Sequence, residues 1–304
     1  MTATIKAAVE DVVEGIAKDL AEEKAVSDLS VWNAIISEDI DFRVEKRGMH
    51  TYGEDGGLNM PDHSATIRVN PDGSESPLWV VGSKYEVVDH REVIKQFAEV
   101  LDRSDMQADI KHHVYQNGCR IYSEFVIDQT FMVNGKVARP FFTLTTSHDG
   151  SLRIGFLMGA KVEGKSFNIS KTVYGNHAKH TKGINIHKTI EAVMDAVTAF
   201  TEEVVPMWTR MHETVLNRDE ALSVIENAVK KNVVAKRRAD DIMFTEANPT
   251  LWDVYTSVID QVSVVRGKRG TEERAFKRNV DVSEYFNKLS FDTDMTALKS
   301  ILKK

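Results

Sequence analysis

Four groups of residues in this sequence have types and spacing that could do chemistry. Gly159 to Ser166, GAKVEGKS, fits the phosphate-loop pattern GxxxxGK[ST] letter for letter. In such a loop the backbone amides cradle phosphates, the lysine reaches the terminal phosphates and the serine hydroxyl binds magnesium. That loop belongs after the first strand of a parallel βαβ fold. Here Thr189 to Gln261 reads as almost wholly helical, with no later strand ending in a magnesium-binding Asp. The expectation is therefore a Gly-containing hairpin turn, no ATP hydrolysis and no cofactor. His177 and His180 lie three apart, with His187 beyond them. On a helix such a pair could hold zinc if a third ligand came from elsewhere. No HExxH pattern is present, and no metal is expected. Ser147-His148-Asp149 has the letters of a catalytic triad, but neighbours in a tight turn cannot face one another as a triad requires.

Charge is the stronger feature. Between positions 161 and 188 stand Lys161, Lys165, Lys171, Lys179, Lys182 and Lys188 with three histidines, against a single carboxylate, Glu163. Phe167 and Tyr174 are interleaved with them. Cations that neutralise phosphates, with aromatics for base stacking, are what sequence-tolerant single-strand binding needs. A second basic stretch, RGKRGTEERAFKR, carries Arg266, Lys268, Arg269, Lys277 and Arg278. The alternative is a solvated surface loop balanced by acidic residues elsewhere.

The elements that must position these groups are legible in part. Asn117-Gly118, Asn134-Gly135 and Asp149-Gly150 are hairpin signals, because type I′ turns need positive φ at both central residues. The segments at 111–116, 121–127, 141–145 and 152–157 suit strands, giving a meander of about four. Residues 3–26 read as an amphipathic helix with Ile5, Val9, Val12, Ile16 and Leu20 on one stripe, and a second short helix is expected near Trp32 to Ile36. Up to Asp41 the chain has ten acidic residues against three lysines, which makes an acidic arm. Residues 48–63 are rich in Gly, Asp and Asn and read as an exposed loop, before strands at 65–69 and 78–81. Asp89 is placed to cap a helix through Leu101. Thr189 to Met211 reads as a long helix broken at Pro206. Asn217 to Glu220 resembles a capping box for a helix running to Arg238, Pro249 suits the first position of another, and a short helix from Asp294 to Leu302 closes the chain.

Composition sets outer bounds. With 304 residues, 42% hydrophobic, the chain can bury one large core or two small ones. A formal charge of -7 excludes a globally basic nucleic-acid binder, so any such contact must use a local patch. The single cysteine, Cys119, excludes an intramolecular disulfide and a Cys-rich zinc site, and suits a reducing cytosol. No apolar run is long enough to suggest a membrane span.

The segments WVVGSKYEVVDHREVIKQFAEVL, TLTTSHDGSLRIGF, VYGNHAKHTKGI and NPTLWDVYTSVIDQVS occur in that order, between about Leu78 and Ser263. In this the chain resembles the phage- and plasmid-borne proteins of domain-of-unknown-function family nine-three-two. The turn Ser147-His148-Asp149-Gly150 and His180-Thr181 are its better markers. The resemblance implies a mobile-element origin and a soluble α+β fold, and brings no settled activity or catalytic residue. The family pattern has a Cys near an Asn before the long helix. Tyr174 stands near Asn176 here, so no role for that thiol carries over. Hairpins followed by a long helix also look like the β-β-β-α core of single-strand annealing recombinases, an analogy at the level of fold.

The combined reading is an α+β protein with an antiparallel meander sheet backed by helices. It divides into an acidic helical arm (1–41), an α+β core (42–212) and a mainly helical remainder (213–304). Function is expected to be non-enzymatic binding of single-stranded nucleic acid, DNA in preference to RNA, by a homo-oligomer in replication or recombination. The site residues would be Lys161, Lys165, Phe167, Lys171, Tyr174, His177, Lys179, His180, Lys182, Lys188, Arg266, Lys268, Arg269, Lys277 and Arg278. The alternative is a virion, assembly or host-defence-inhibiting protein that recognises protein.

Overall fold

The computed structural model describes residues 35–53, 56–103, 106–169, 176–178, 180, 200–265 and 271–303. The expected amino-terminal helix and nearly all of the acidic arm lie outside them. Where the described chain begins, the Ile35 carbonyl accepts a hydrogen bond from His112 Nε2 at 2.7 Å.

Two antiparallel sheets form the β part. The smaller has the order β1 (Arg43–Gly53), β2 (Gly56–Val69), β3 (Glu75–Gly82). The larger contains β4 (Ala108–Tyr115), β5 (Arg120–Ile127), β7 (Lys136–Ser147), β8 (Ile154–Val162) and β10 (Asn176–Ala178) in the order β10-β8-β7-β5-β4. β6 (Phe131–Val133) pairs with β7, and β9 (Lys165–Asn168) pairs with β8. All pairings are antiparallel. The expected hairpins are present. Asn134 and Gly135 both have positive φ, as do Asn117 and Gly118, whereas at the third turn only Gly150 does. A fourth turn, Glu163-Gly164, has the same left-handed pair.

Within 48–63, residues 48–53 and 56–63 are strand, contrary to the expected loop. The ladder from Arg43↔Val69 continues past a bulge at Gly48/Met49 to Gly53↔Gly56. Backbone hydrogen bonds hold that tip, so no alternation of apolar side chains was needed to form it. Pro61 falls within the bulge, where no ladder bond is lost.

Strand pleat gives the larger sheet two faces. On one, Phe125, Phe142 and Phe156 pack on Phe97 of α1 (His90–Arg103), with ring centroids 4.5, 5.8 and 4.7 Å away. The Asp89 side chain accepts from the Arg91 amide at 3.0 Å, as its position before the helix predicts.

The carboxyl-terminal part is helical. A π turn, Phe200–Val204, runs into α2 (Val205–Glu213) with Pro206 in its first turn, so the expected break is a change of helix type. Then come α3 (Arg218–Lys230), α4 (Lys236–Ala239), α5 (Leu251–Ser263), α6 (Glu272–Ser290) and α7 (Thr296–Leu302). Asn217 and Glu220 form the predicted capping box. The helix it opens stops at Lys230 rather than Arg238, and Asn232 follows with φ of 57°. Pro249 does not begin α5. Thr250 caps that helix, and the Pro249 carbonyl accepts from the Leu216 amide at 2.9 Å. A buried polar stripe, Asn279, Ser283 and Asn287, recurs every fourth residue along α6 and bonds to Asn168 of β9, which fixes the helix against the sheet.

Candidate nucleic-acid interface

The second face of the larger sheet carries Tyr122 and Glu124 of β5, Phe141 and Thr143 of β7, and His113 and Tyr115 of β4. α6 crosses this face and leaves a cleft of about 370 Å³ between Tyr115, Tyr122, Phe276 and Asn279. A neighbouring cleft of about 270 Å³ lies between Tyr122, Phe276, Lys277 and the exposed Arg153. Tyr122 forms the shared wall, edge-on to Tyr115 at 5.6 Å and to Phe276 at 5.0 Å. Tyr115 and Phe276 are half-buried, and so available at the cleft wall.

Charge around the clefts is mixed and largely paired. Lys161 Nζ lies 2.6 Å from Glu124 Oε1. Arg120 bridges Asp149 at 2.7 Å and Glu273 at 3.2 Å, and Glu273 also accepts from the Tyr122 hydroxyl. Burial pushes the Asp149 carboxyl up, yet bonds from Ser151, Arg120 and Ser147 together hold it below the usual carboxylate range. The Tyr122 hydroxyl is pushed up, first by burial and then by Glu273.

The predicted site residues divide sharply. Phe167 cannot stack on a base. It is 1% exposed and packs on Trp252 and Tyr255, with centroids 4.7 and 5.1 Å away, because the alternation of β9 turns it into the helical core. His180 is also buried, at 6% exposure, and its ring stacks on Tyr85. Lys165 pairs with Asp260 at 2.7 Å and Lys277 with Glu273 at 3.2 Å. Arg278 is half-buried and donates to the Val262 carbonyl; burial, then Arg274 and Arg237, lower its pKa. His177 lies in strand β10, so it and His180 are not a helical pair. Lys171, Tyr174, Lys179, Lys182, Lys188, Arg266, Lys268 and Arg269 lie outside the described residues. Val265 and Glu272, on either side of 266–270, both line the larger cleft.

The phosphate-loop letters resolve as a hairpin. Gly159 to Val162 end β8, Glu163-Gly164 make the turn, and Lys165-Ser166 start β9. Both arms are ladder strands, so their amides cannot converge on a phosphate. Among the described residues no group of three His, Cys, Asp or Glu could hold a metal ion, and no helix is long and apolar enough to cross a membrane.

A buried histidine cluster went unread in the sequence. His90, His148 and His180 come together where the smaller sheet meets the turn end of the larger one. The His90 and His148 rings lie 3.8 Å apart, and both meet Phe42 edge-on. His90 Nε2 donates to the Gly118 carbonyl at 3.0 Å. The Tyr85 hydroxyl donates to the Ser147 carbonyl at 2.6 Å, and Thr66 Oγ1 to the His148 carbonyl at 3.1 Å. Neither ring nitrogen of His148 has a partner among the described residues. Burial pushes His90 and His180 down to about 4, and burial with its two histidine neighbours pushes His148 well below its ordinary range. All three are neutral at pH 7.

Over residues 77–284 the chain matches the family described as Domain of unknown function (DUF932). It belongs to the DUF932 family. No curated protein and no solved structure matches it. The DUF932 match takes in the whole of the larger sheet and both clefts, whereas β1 and β2 precede it.

Proposed function

We propose that this DUF932 protein, of phage or plasmid origin, binds single-stranded nucleic acid, DNA in preference to RNA, in the groove between the larger sheet and α6. It acts without covalent chemistry, as a homo-oligomer that anneals strands in replication or recombination. One observation supports this reading above the others. Val265 and Glu272, which flank the basic residues 266–269 in sequence, line one aromatic-walled groove, and Glu124 on the same wall holds Lys161. Tyr115 and Phe276 take the stacking role first expected of Phe167. Arg153, Lys277 and Arg266, Lys268 and Arg269 supply phosphate contacts.

The test is a mobility shift with single-stranded DNA, duplex DNA and RNA at low salt. Single-stranded DNA should bind most tightly, with a log-log salt slope of about -0.7 per phosphate neutralised. Tyr115→Ala should weaken binding about tenfold, the scale of one lost base stack. Absence of any shift at low salt ends the proposal.

The second reading, a protein partner in virion assembly or host-defence inhibition, has its own observation. Tyr52, Trp79 and Val80 of the smaller sheet are 91%, 52% and 45% exposed. Assembly into large particles without nucleic acid, or co-purification with virions, would favour it.

A further inference from the structure

The larger cleft holds more hydrogen-bonding capacity than the fold uses. Thr143 and Asn168, 2% and 1% exposed, stand in its wall, and the buried Thr143 hydroxyl and Asn168 side-chain oxygen have no partner among the described residues. Buried polar atoms left in this way cost free energy that a polar ligand would recover. The cleft is within the size range of small-molecule sites, and Tyr115 and Phe276 give it aromatic walls. A flat, polar-edged, aromatic ligand suits these walls, and a base swung out of its stack is such a ligand.

The edge of the ligand can be read from one ion pair. Lys161 of β8 stands two strands from Glu124 of β5 on the same sheet face and reaches it, Nζ 2.6 Å from Oε1, and the Glu124 side chain is only 17% exposed. Side by side they present an ammonium that only donates and a carboxylate that only accepts. The Watson–Crick edge of guanine is the complement: the O6 acceptor, then the N1–H and N2–H donors. Thymine and uracil match the first two and lack the third. Adenine and cytosine turn a ring-nitrogen lone pair toward the carboxylate.

We propose that this cleft takes a guanine base, with Lys161 on O6, Glu124 on N1–H and N2–H, and Tyr115 and Phe276 against its faces. The proposal deepens the single-strand reading and rests on it for the source of the base. A free guanine nucleotide has the same edge.

The test measures equilibrium binding of the full chain to a labelled oligothymidine and to the same strand with one central guanine or one central inosine. Guanine should strengthen binding about tenfold, the discrimination expected of a bidentate base contact. Inosine, which lacks only the N2 amino group, should lose most of that gain. Guanosine monophosphate should compete better than adenosine monophosphate. Glu124→Gln, checked by thermal melting for an intact fold, should bring the guanine-to-thymine affinity ratio to about one. Strand binding with no guanine preference, or a preference that survives in folded Glu124→Gln or with inosine, overturns the base assignment and leaves strand binding standing. Guanosine monophosphate selectivity with no strand binding keeps the base assignment and removes the strand as its source.

Discussion

Acidification should loosen this fold through three side chains before the carboxylates take part. His90 and His180 each have an ordinary value of 6.5 and sit at about 4 in the folded chain, first because of burial. His148 is displaced in the same direction by burial and by the other two. The folded chain therefore holds fewer protons than the unfolded chain between about pH 6.5 and 4. Their contribution to stability is fully present above about 6.5 and is lost as pH drops through that window, and below it His90 and His180 cause no further loss. For His90 and His180 the loss is about 3 kcal/mol each. Together that is comparable with the whole stability of many domains. Cys119, pushed up to about 11 by burial, stays neutral throughout, and Asp149, held low, stays charged until more acid conditions. The assay is urea unfolding at pH 7.5, 6.5, 5.5 and 4.5, followed by tryptophan fluorescence. His180→Phe keeps the stack on Tyr85 and removes one titrating ring, so the acid loss should shrink by about 3 kcal/mol. A urea midpoint unchanged between pH 7.5 and 5.5 would refute the reasoning, since it would require histidines that protonate without cost.

Three further outcomes follow from local geometry. Gly118 has φ of +84°, and a Cβ there would lie 2.5 Å from the Phe42 ring, whereas Gly164 has φ of +78° with open space around it. Alanine at Gly164 should cost about 1 kcal/mol in chemical denaturation, and alanine at Gly118 clearly more. Phe167→Ala should lower stability by about 3–5 kcal/mol as a lost core ring; loss of nucleic-acid affinity at unchanged stability would place it on the surface after all. Lys165→Met, which breaks an exposed pair with Asp260, should change stability by no more than about 0.5 kcal/mol, and calorimetry should show no magnesium-dependent nucleotide binding to lose.

What the chain discloses from its letters follows from where its constraints act. Asn134-Gly135 is legible because positive φ at two successive residues demands those types. The Asn217 cap is legible because one side chain must satisfy a first-turn amide. The hairpin of β1 and β2 is not, because backbone pairing forms its tip without an apolar pattern. The histidine cluster is not, because positions 90, 148 and 180 share no spacing, and only the meeting of the two sheets joins them. The cleft could have been found in part. Tyr122 and Glu124 alternate with Ile121, Ser123 and Phe125, so reading both faces of β5 separates cleft residues from core ones. Charge counting over 161–188 does not distinguish Lys161, which pairs with Glu124 of the cleft wall, from Lys165, which pairs across to α5 at Asp260.

The two-faced pleat of β5 restricts how this protein can change over time. A loop such as the one between β2 and β3 absorbs an added residue without disturbing its neighbours. One residue gained or lost within β5 would carry Phe125 out of its contact with Phe97 and into the cleft, and drive Glu124 into the apolar interior beneath α1. Both faces would fail together. Ligand preference can therefore be retuned only by exchanging residues in place along this strand, while changes of length are confined to the turns.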